Sequence, residues 1–246
     1  MRNYGILQIV RDSEQFHSIM KGLGQGVAEQ QLYGLPEGLK GLWLAAMLFD
    51  YHPILVVTAG GEEAGRLVAD LESFCPGEGA GYLPAGELLP VEVYAHSPEL
   101  AAQRLKALVD MISGRLRLLV APVDALLQKL PPPDMLSQAL LTLEIGQKID
   151  REALLQRLIA LGYRRQEVVE APGQVAARGG IIDIYPLGAE GPVRLELYGD
   201  EIDSLRHFDP DTQRSVAETR SVILGPAREV LPPPDLQAGL AALQEE

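Results

Sequence analysis

Cysteine is almost absent from this chain of 246 residues, which contains one, Cys75. A single cysteine excludes an internal disulfide framework and a cysteine-rich zinc site. The four histidines are scattered without an i, i+4 pair, so the sequence predicts no metal site and no metal cofactor. Long apolar runs and a signal-peptide core are also missing, and we therefore expect a cytoplasmic protein with no membrane partner.

Positive charge is scarce as well. The chain carries 21 Lys and Arg residues against 34 Asp and Glu residues, a formal net charge of −13. This net negative charge disfavours general nucleic-acid binding, which needs a positive surface that displaces counterions from phosphates. A local basic patch is still compatible with a negative net charge. The apolar fraction of 47% is sufficient for a packed core, in one large domain or two smaller ones.

A short segment that the sequence does contain, GLPEGLKG from Gly34 to Gly41, follows part of a phosphate-loop pattern. An active loop reads G-x-x-x-x-G-K-[ST]. Gly34 and Lys40 fit that frame, whereas Leu39 replaces the second glycine and Gly41 replaces the hydroxyl residue that binds Mg²⁺. We therefore predict a degenerate nucleotide loop without hydrolytic activity, no catalytic residue and no bound cofactor, with Lys40 as a remnant.

The first half of the chain alternates between helix and strand patterns. An apolar helix is expected over 42–49, and the run at 54–59 predicts a central parallel strand covered on both faces. Amphipathic spacing predicts a helix over 64–74. A second helix is expected to start at Pro98, with Ser97 as its cap. The apolar run at 116–122 predicts a second buried strand. This rhythm favours an α/β fold with a doubly wound sheet.

Beyond three prolines at 131–133, the composition changes and strand patterns dominate. One helix is predicted over 150–161, followed by strands at 175–185, 193–198 and 202–208, with a hairpin turn at Gly199-Asp200. These patterns predict a second, α+β domain with an antiparallel sheet.

The second half also contains long specific strings. Gly162-Tyr163, RGGIIDIYP (178–186) and GDEIDSLR (199–206), continuing through Phe208-Asp209-Pro210, resemble the second domain of the nucleotide-excision repair protein UvrB. They resemble the matching segment of the bacterial transcription-repair coupling factors (Mfd) more closely. UvrB has an intact phosphate loop and an aromatic-rich β-hairpin that threads between DNA strands, whereas this chain has neither.

The resemblance implies a domain organisation. Residues 1–130 would be a degenerate RecA-like (P-loop NTPase-type) parallel-sheet domain, 131–222 a smaller UvrB-domain-2-like, UvrA-binding domain, and 223–246 the start of a truncated domain 1B. It implies a non-catalytic adaptor that recruits UvrA to stalled RNA polymerase. RNA polymerase and DNA would be bound only through domains missing from these residues. The alternatives are an ATP-dependent UvrB-type repair or helicase fragment and a DNA-binding module.

The resemblance also implies which residues bind UvrA. Arg178 matches the arginine of the family's R-G-x-x-x-x-[IV]-[FY]-P string and is the first candidate; the others are Arg164, Arg165, Tyr185 and Arg194. Residues 148–220 contain 10 of the 21 basic residues, which supports a local patch. Arginine pairs bidentately with carboxylates, and tyrosine is enriched among residues that dominate binding energy. On the alternative interpretation, these are ordinary solvated arginines and a half-buried strand tyrosine.

Overall fold

The computed structural model describes residues 4–86, 98–189 and 191–229. The helices are α1 (Tyr4–Arg11), α2 (Glu14–Gly24), α3 (Glu37–Met47), α4 (Gly61–Phe74), α5 (Pro98–Ile112), α6 (Val123–Leu126), α7 (Pro133–Ala139) and α8 (Arg151–Ala160). The strands are β1 (Ile54–Thr58), β2 (Ala80–Tyr82), β3 (Leu118–Pro122), β4 (Leu141–Glu144), β5 (Arg164–Arg165), β6 (Gln174–Arg178), β7 (Ile181–Tyr185), β8 (Val193–Tyr198), β9 (Glu201–Phe208), β10 (Ser215–Glu218) and β11 (Ser221–Leu224).

The chain divides into two compact units. Unit 1 comprises residues 1–85 and 113–128, and unit 2 comprises 86–112 and 129–246. The second segment of unit 2 begins at residue 129, near the domain boundary predicted at 131, but α5 belongs to unit 2 although the sequence assigns it to the first domain. The boundary predicted between residues 222 and 223 falls inside β11. The domain limits themselves stay a prediction.

Unit 1 is a small parallel sheet with helices packed on it. The strand order is β1-β3-β2, and both pairings are parallel. The expected amphipathic helix forms as α4, which buries Ala64, Leu67 and Leu71 in the core of the unit. The same core takes Leu42, Ala45 and Ala46 from α3. A mixed α/β architecture with a parallel sheet is thus confirmed.

The prediction that 54–59 is a central strand covered on both faces is wrong within the described residues. There, β1 lies at an edge of the three-stranded sheet, and Leu55 and Val57 are 55% and 52% exposed. The central position belongs to β3, whose five residues are all buried. A run of β-branched residues indicates a strand, but it does not specify which neighbour the strand pairs with.

Unit 2 is dominated by a six-stranded sheet of order β10-β9-β8-β7-β6-β5. Neighbouring strands are antiparallel except β5, which runs parallel to β6. The strand predicted over 175–185 is a hairpin of two strands, because Gly179 turns the chain with a φ of +57°. The predicted hairpin at Gly199-Asp200 is confirmed by the pairing of β8 with β9.

One face of this sheet covers the main core of unit 2. Alternate residues of β6 to β9, such as Val175, Ile182 and Leu195, pack with α8 and with the two-stranded sheet of β4 and β11. Asp150 caps α8 by accepting hydrogen bonds from the backbone of Glu152 and Ala153 at 2.9 and 3.0 Å. This end of the helix matches the predicted start.

No helix within the described ranges is long and apolar enough to cross a membrane. The Ser97 cap predicted for α5 lies outside the described residues.

Candidate functional site

The face of the six-stranded sheet that points away from the main core carries most of the predicted partner-binding residues. Side chains alternate between the two faces of a strand. Val175 and Ala177 of β6 pack toward the core, which places Gln174, Ala176 and Arg178 on the opposite face. We call this opposite side the outer face. Val169, Ala176 and Phe208 cover part of it with a small apolar cluster.

A row of polar residues crosses the outer face from strand to strand. Residues in direct register on β6, β7, β8, β9 and β10 are Ala176, Asp183, Arg194, Arg206 and Glu218. Side chains that stand opposite one another in an antiparallel pair lie within contact range. The register therefore puts charges of both signs side by side in this row.

Asp183 and Arg194 form the centre of the row. The guanidinium of Arg194 donates to both carboxylate oxygens of Asp183, from Nε at 2.7 Å and from Nη2 at 2.9 Å. The Asp183 side chain is 2% exposed and that of Arg194 is 17% exposed. The hydrogen bond to Asp183 raises the pKa of Arg194. This is the bidentate geometry that arginine forms best, in a place where water competes little.

Two further contacts fix the Arg194 side chain. Its guanidinium carbon lies 4.6 Å from the centre of the Phe208 ring, within the range of a cation–π contact. Its Nη1 donates to the backbone oxygen of Gln213 at 3.2 Å. Arg194 thus connects the sheet to the loop after β9. Its Nε, Nη1 and Nη2 groups all donate hydrogen bonds within the chain.

Arg178 contrasts with Arg194. It ends β6 just before the Gly179-Gly180 turn, and its side chain is 59% exposed. Its Nη2 lies 3.8 Å from Asp183 Oδ2, too far for a hydrogen bond. The Asp183 carboxylate is already bonded to Arg194, so Arg178 presents a weakly compensated positive charge to solvent.

Arg164, Arg165 and Tyr185 lie toward the other end of the same strands. Arg164 is in register with Gln174, which is itself opposite Tyr185. Arg164 therefore shares the outer face with Tyr185, which is half-buried against the small apolar cluster. Arg165 is in register with Val175, whose side chain points to the core, so Arg165 belongs to the opposite face at the sheet edge.

The structure thus brings Arg164, Tyr185, Arg194 and Arg178 onto one face and separates Arg165 from them. Tyr185 lies four residues along β7 from Ile181, the register partner of Arg178, a distance of about 13 Å at the usual rise of a strand. Asp183 and Arg206 also belong to this face, although the sequence did not predict them there. The two-residue alternation through RGGIIDIYP could have identified Asp183, whereas its pairing with Arg194 depends on the register.

The predicted nucleotide loop has a different local structure from an open loop. Gly34 lies in a turn with a φ of +76°, but α3 begins at Glu37 and already contains Leu39, Lys40 and Gly41. Leu39 favours a helix at the position where a phosphate loop needs glycine, so the chain is already helical there. Among the described residues, no strand precedes this segment in the sequence, since α1 and α2 come first.

Lys40 is paired within unit 1. Its Nζ donates to Glu63 Oε1 of α4 at 2.8 Å. This hydrogen bond and charge raise the pKa of Lys40 and lower the pKa of Glu63. The two side chains line a cavity of about 350 Å³ together with Glu37, Arg66 and Asp70. Three carboxylates beside two cations make this cavity a poor host for a triphosphate.

Gly41 has a packing reason to be glycine. A Cβ at this position would lie 2.7 Å from the Cβ of Asp70 on α4, closer than such atoms approach. Both atoms are fixed to the backbone, so a side chain at residue 41 would push α3 and α4 apart. The hydroxyl that a phosphate loop needs at this position is therefore excluded by helix packing.

No group of three or more His, Cys, Asp or Glu side chains able to hold a metal ion occurs among the described residues.

Comparison with known proteins gives two results. A family model described as "UvrB interaction domain" matches residues 141–230, which include the whole six-stranded sheet. The chain is also 37% identical over 234 residues, 95% of its length, to a transcription-repair-coupling factor of Bacillus subtilis (strain 168). It is 31% identical over 224 residues, 91% of its length, to one of Staphylococcus aureus (strain USA300). The chain spans only about a fifth of the length of these relatives, 20% and 19%.

Proposed function

We propose that the chain is a UvrB-like module of the transcription-repair-coupling factors, about a fifth of their length, and that it is a non-catalytic adaptor that recruits UvrA. In the longer protein, this module would connect a stalled RNA polymerase to nucleotide excision repair. RNA polymerase and DNA would be bound by other parts of that protein.

One observation carries the proposal: four of the five predicted contact residues share the outer face of the sheet that the family match covers. Arg178 is exposed and has spare donors, and we propose that it pairs with a carboxylate of UvrA. Tyr185 and Arg164 would contact the partner about 13 Å further along the strands, at the usual rise per residue. Arg194 would act mainly by supporting Asp183 and the sheet beneath Arg178.

For unit 1 we propose a scaffold role in a degenerate RecA-like domain. The Lys40–Glu63 pair and the close approach at Gly41 support this, because each uses a former loop position for contact between α3 and α4. Calorimetric titration with ATP and Mg²⁺ should give no binding heat at micromolar nucleotide. Micromolar affinity with turnover would instead favour a working UvrB-type ATPase fragment.

The direct test of the adaptor role is the binding of immobilised UvrA to wild type and to Arg178→Glu. We expect wild type to bind and the charge reversal to weaken affinity at least tenfold, about 1.4 kcal/mol. Arg66→Glu in unit 1 is the matched control, since the side chain of Arg66 is 61% exposed against 59% for Arg178. It should bind like wild type.

The outcomes separate the alternatives. No binding by wild type would reject UvrA as the partner. Equal binding by wild type and Arg178→Glu would remove Arg178 from the interface, and equal losses in Arg178→Glu and Arg66→Glu would point to a general charge effect.

Arg164 and Arg165 refine the geometry of the interface. They are neighbours in β5, both exposed, on opposite faces of the sheet. If UvrA lies on the outer face, Arg164→Glu should weaken binding more than Arg165→Glu. If UvrA instead contacts both faces at the sheet edge formed by β5, the same binding assay should show similar losses of affinity for Arg164→Glu and Arg165→Glu.

A further inference from the structure

The end of the outer face next to the two hairpin turns carries an exposed tyrosine that the contacts proposed above do not include. Tyr198 is the last residue of β8, and 84% of its surface is exposed. It follows Leu197, whose side chain packs toward the main core, so alternation puts Tyr198 on the outer face. The side chain buries little surface in the fold and is available to a partner.

Tyr198 is close to Arg178. The Leu197 backbone N–H donates to the Gly180 oxygen at 2.8 Å, so the turn after Arg178 lies directly against the residue before Tyr198. A Cβ at Gly180 would lie 2.9 Å from the Leu197 oxygen, and this glycine therefore permits the close approach. Ile181 is in register with both Arg178 and Glu196, so Tyr198 is two strands across and two residues along from Arg178. These spacings put the Cα atoms of Arg178 and Tyr198 on the order of 12 Å apart.

Ile181 completes this end of the face. It is in register with Arg178 on one side and with Glu196 on the other, and 37% of it is exposed. We call the set Arg178, Ile181 and Tyr198 the hairpin-end surface. A single exposed apolar residue is ordinary in a folded protein. Here, an exposed aliphatic and an exposed aromatic side chain lie on the next two strands beside a weakly compensated arginine.

The charges around the hairpin-end surface indicate what it accepts. Arg178, Arg194 and Asp183 together carry one excess positive charge. Glu196 is engaged by the Ser204 hydroxyl at 2.8 Å and lies 3.8 Å from Arg206, and Asp200 lies 4.0 Å from Lys148. Glu201, in register with Tyr198, is an exposed carboxylate on the side of Tyr198 that is farther from Arg178. The positive charge of this surface is thus located at Arg178, next to Ile181. The complementary surface is a carboxylate at the edge of an apolar pocket.

We propose that the hairpin-end surface is part of the UvrA-binding interface, with Tyr198 inserted into an apolar pocket of UvrA whose rim carboxylate pairs with Arg178. This inference rests on the proposed function and extends it to Tyr198 and Ile181. Tyrosine and arginine are the residue types that most often dominate binding energy when they are buried at the centre of an interface.

The test compares Tyr198→Ala with Tyr33→Ala in the UvrA-binding assay. Tyr33, in unit 1, is 82% exposed and provides a matched control. We expect Tyr198→Ala to weaken binding at least tenfold, Tyr198→Phe to retain most of the affinity, and Tyr33→Ala to match wild type. Circular dichroism should show unchanged folding for Tyr198→Ala, because so little of the side chain is buried.

Salt dependence separates the two parts of the surface. Raising the salt concentration should weaken wild type and Tyr198→Ala by similar factors, whereas Arg178→Glu should lose that dependence. Binding of Tyr198→Ala equal to wild type would overturn this inference and leave the adaptor role intact. Failure of wild type to bind UvrA would overturn both.

Discussion

The predicted functional residues of the two units differ in what surrounds them: those of unit 1 contact a neighbouring helix, and Arg178 of unit 2 is exposed to solvent. In unit 1, Lys40 pairs with Glu63 of the neighbouring helix, and Gly41 is held against Asp70. In unit 2, Arg178 projects from the sheet with most of its side-chain surface exposed, and so does Tyr198, which the sequence did not predict.

This difference shows that a motif residue has to be judged by its contacts. Lys40 and Gly41, the predicted loop positions of unit 1, both lie in contacts between α3 and α4. In unit 2, the Asp183 carboxylate is hydrogen-bonded to the guanidinium of Arg194, and Arg178 lies 3.8 Å from it. The Arg194–Asp183 pair leaves Arg178 available to a partner.

Removal of Asp183 should have the largest effect on stability, since this carboxylate pairs with Arg194 inside unit 2. We expect Asp183→Ala to lower the free energy of unfolding by about 3 kcal/mol, because it leaves the enclosed guanidinium of Arg194 without its carboxylate. Urea denaturation followed by circular dichroism measures this loss. Asp203→Ala is the control, since Asp203 lies exposed on β9 and should change stability by less than about 0.5 kcal/mol. Equal effects of the two substitutions would show that the Arg194 pair does not support the sheet.

A second experiment tests whether Gly41 is a packing residue. Gly41→Ala should destabilise unit 1 by about 1–3 kcal/mol, the usual cost of overpacking. Gly38→Ala, three residues earlier in α3, meets no atom within 4 Å and should stabilise the helix by up to about 1 kcal/mol. The fluorescence of Trp43, the single tryptophan, reports on α3 during denaturation. Stabilisation by both substitutions would contradict the close helix contact.

The smallest expected effect concerns the Lys40–Glu63 pair. Lys40→Gln should lower the denaturation midpoint slightly at neutral pH and low salt, and not measurably at high salt. The pKa of Glu63 is lowered and that of Lys40 is raised on folding. The difference from wild type should therefore vanish as pH falls through the lowered pKa of Glu63 or rises through the raised pKa of Lys40. A difference that stays constant across this pH range would show that the pair contributes nothing.

Much of unit 2 could be predicted from its sequence, because its signals are local. Asp150 before an apolar stripe predicts the start of α8, and Gly199-Asp200 between two alternating runs predicts the β8–β9 hairpin. The resemblance of RGGIIDIYP and GDEIDSLR to UvrB-like proteins is confirmed by the family match over 141–230.

The remaining features depend on contacts between distant residues. Sequence spacing could not show that β1 lies at a sheet edge, since strand order is set by packing across the unit. The position of Arg165 depends on which residue of β6 it pairs with, and a shift of one residue would reverse its face. The partner of Lys40 lies 23 residues away on α4, and no local pattern encodes that pair.

On the proposed function, UvrA contacts the outer face of unit 2 and leaves unit 1 free. Hydroxyl-radical footprinting, with and without UvrA, tests it on two tyrosines of nearly equal exposure, Tyr198 at 84% and Tyr33 at 82%. We predict that UvrA strongly reduces the modification of Tyr198 and leaves the modification of Tyr33 unchanged. Protection of Tyr33 with Tyr198 still fully modified would contradict the claim.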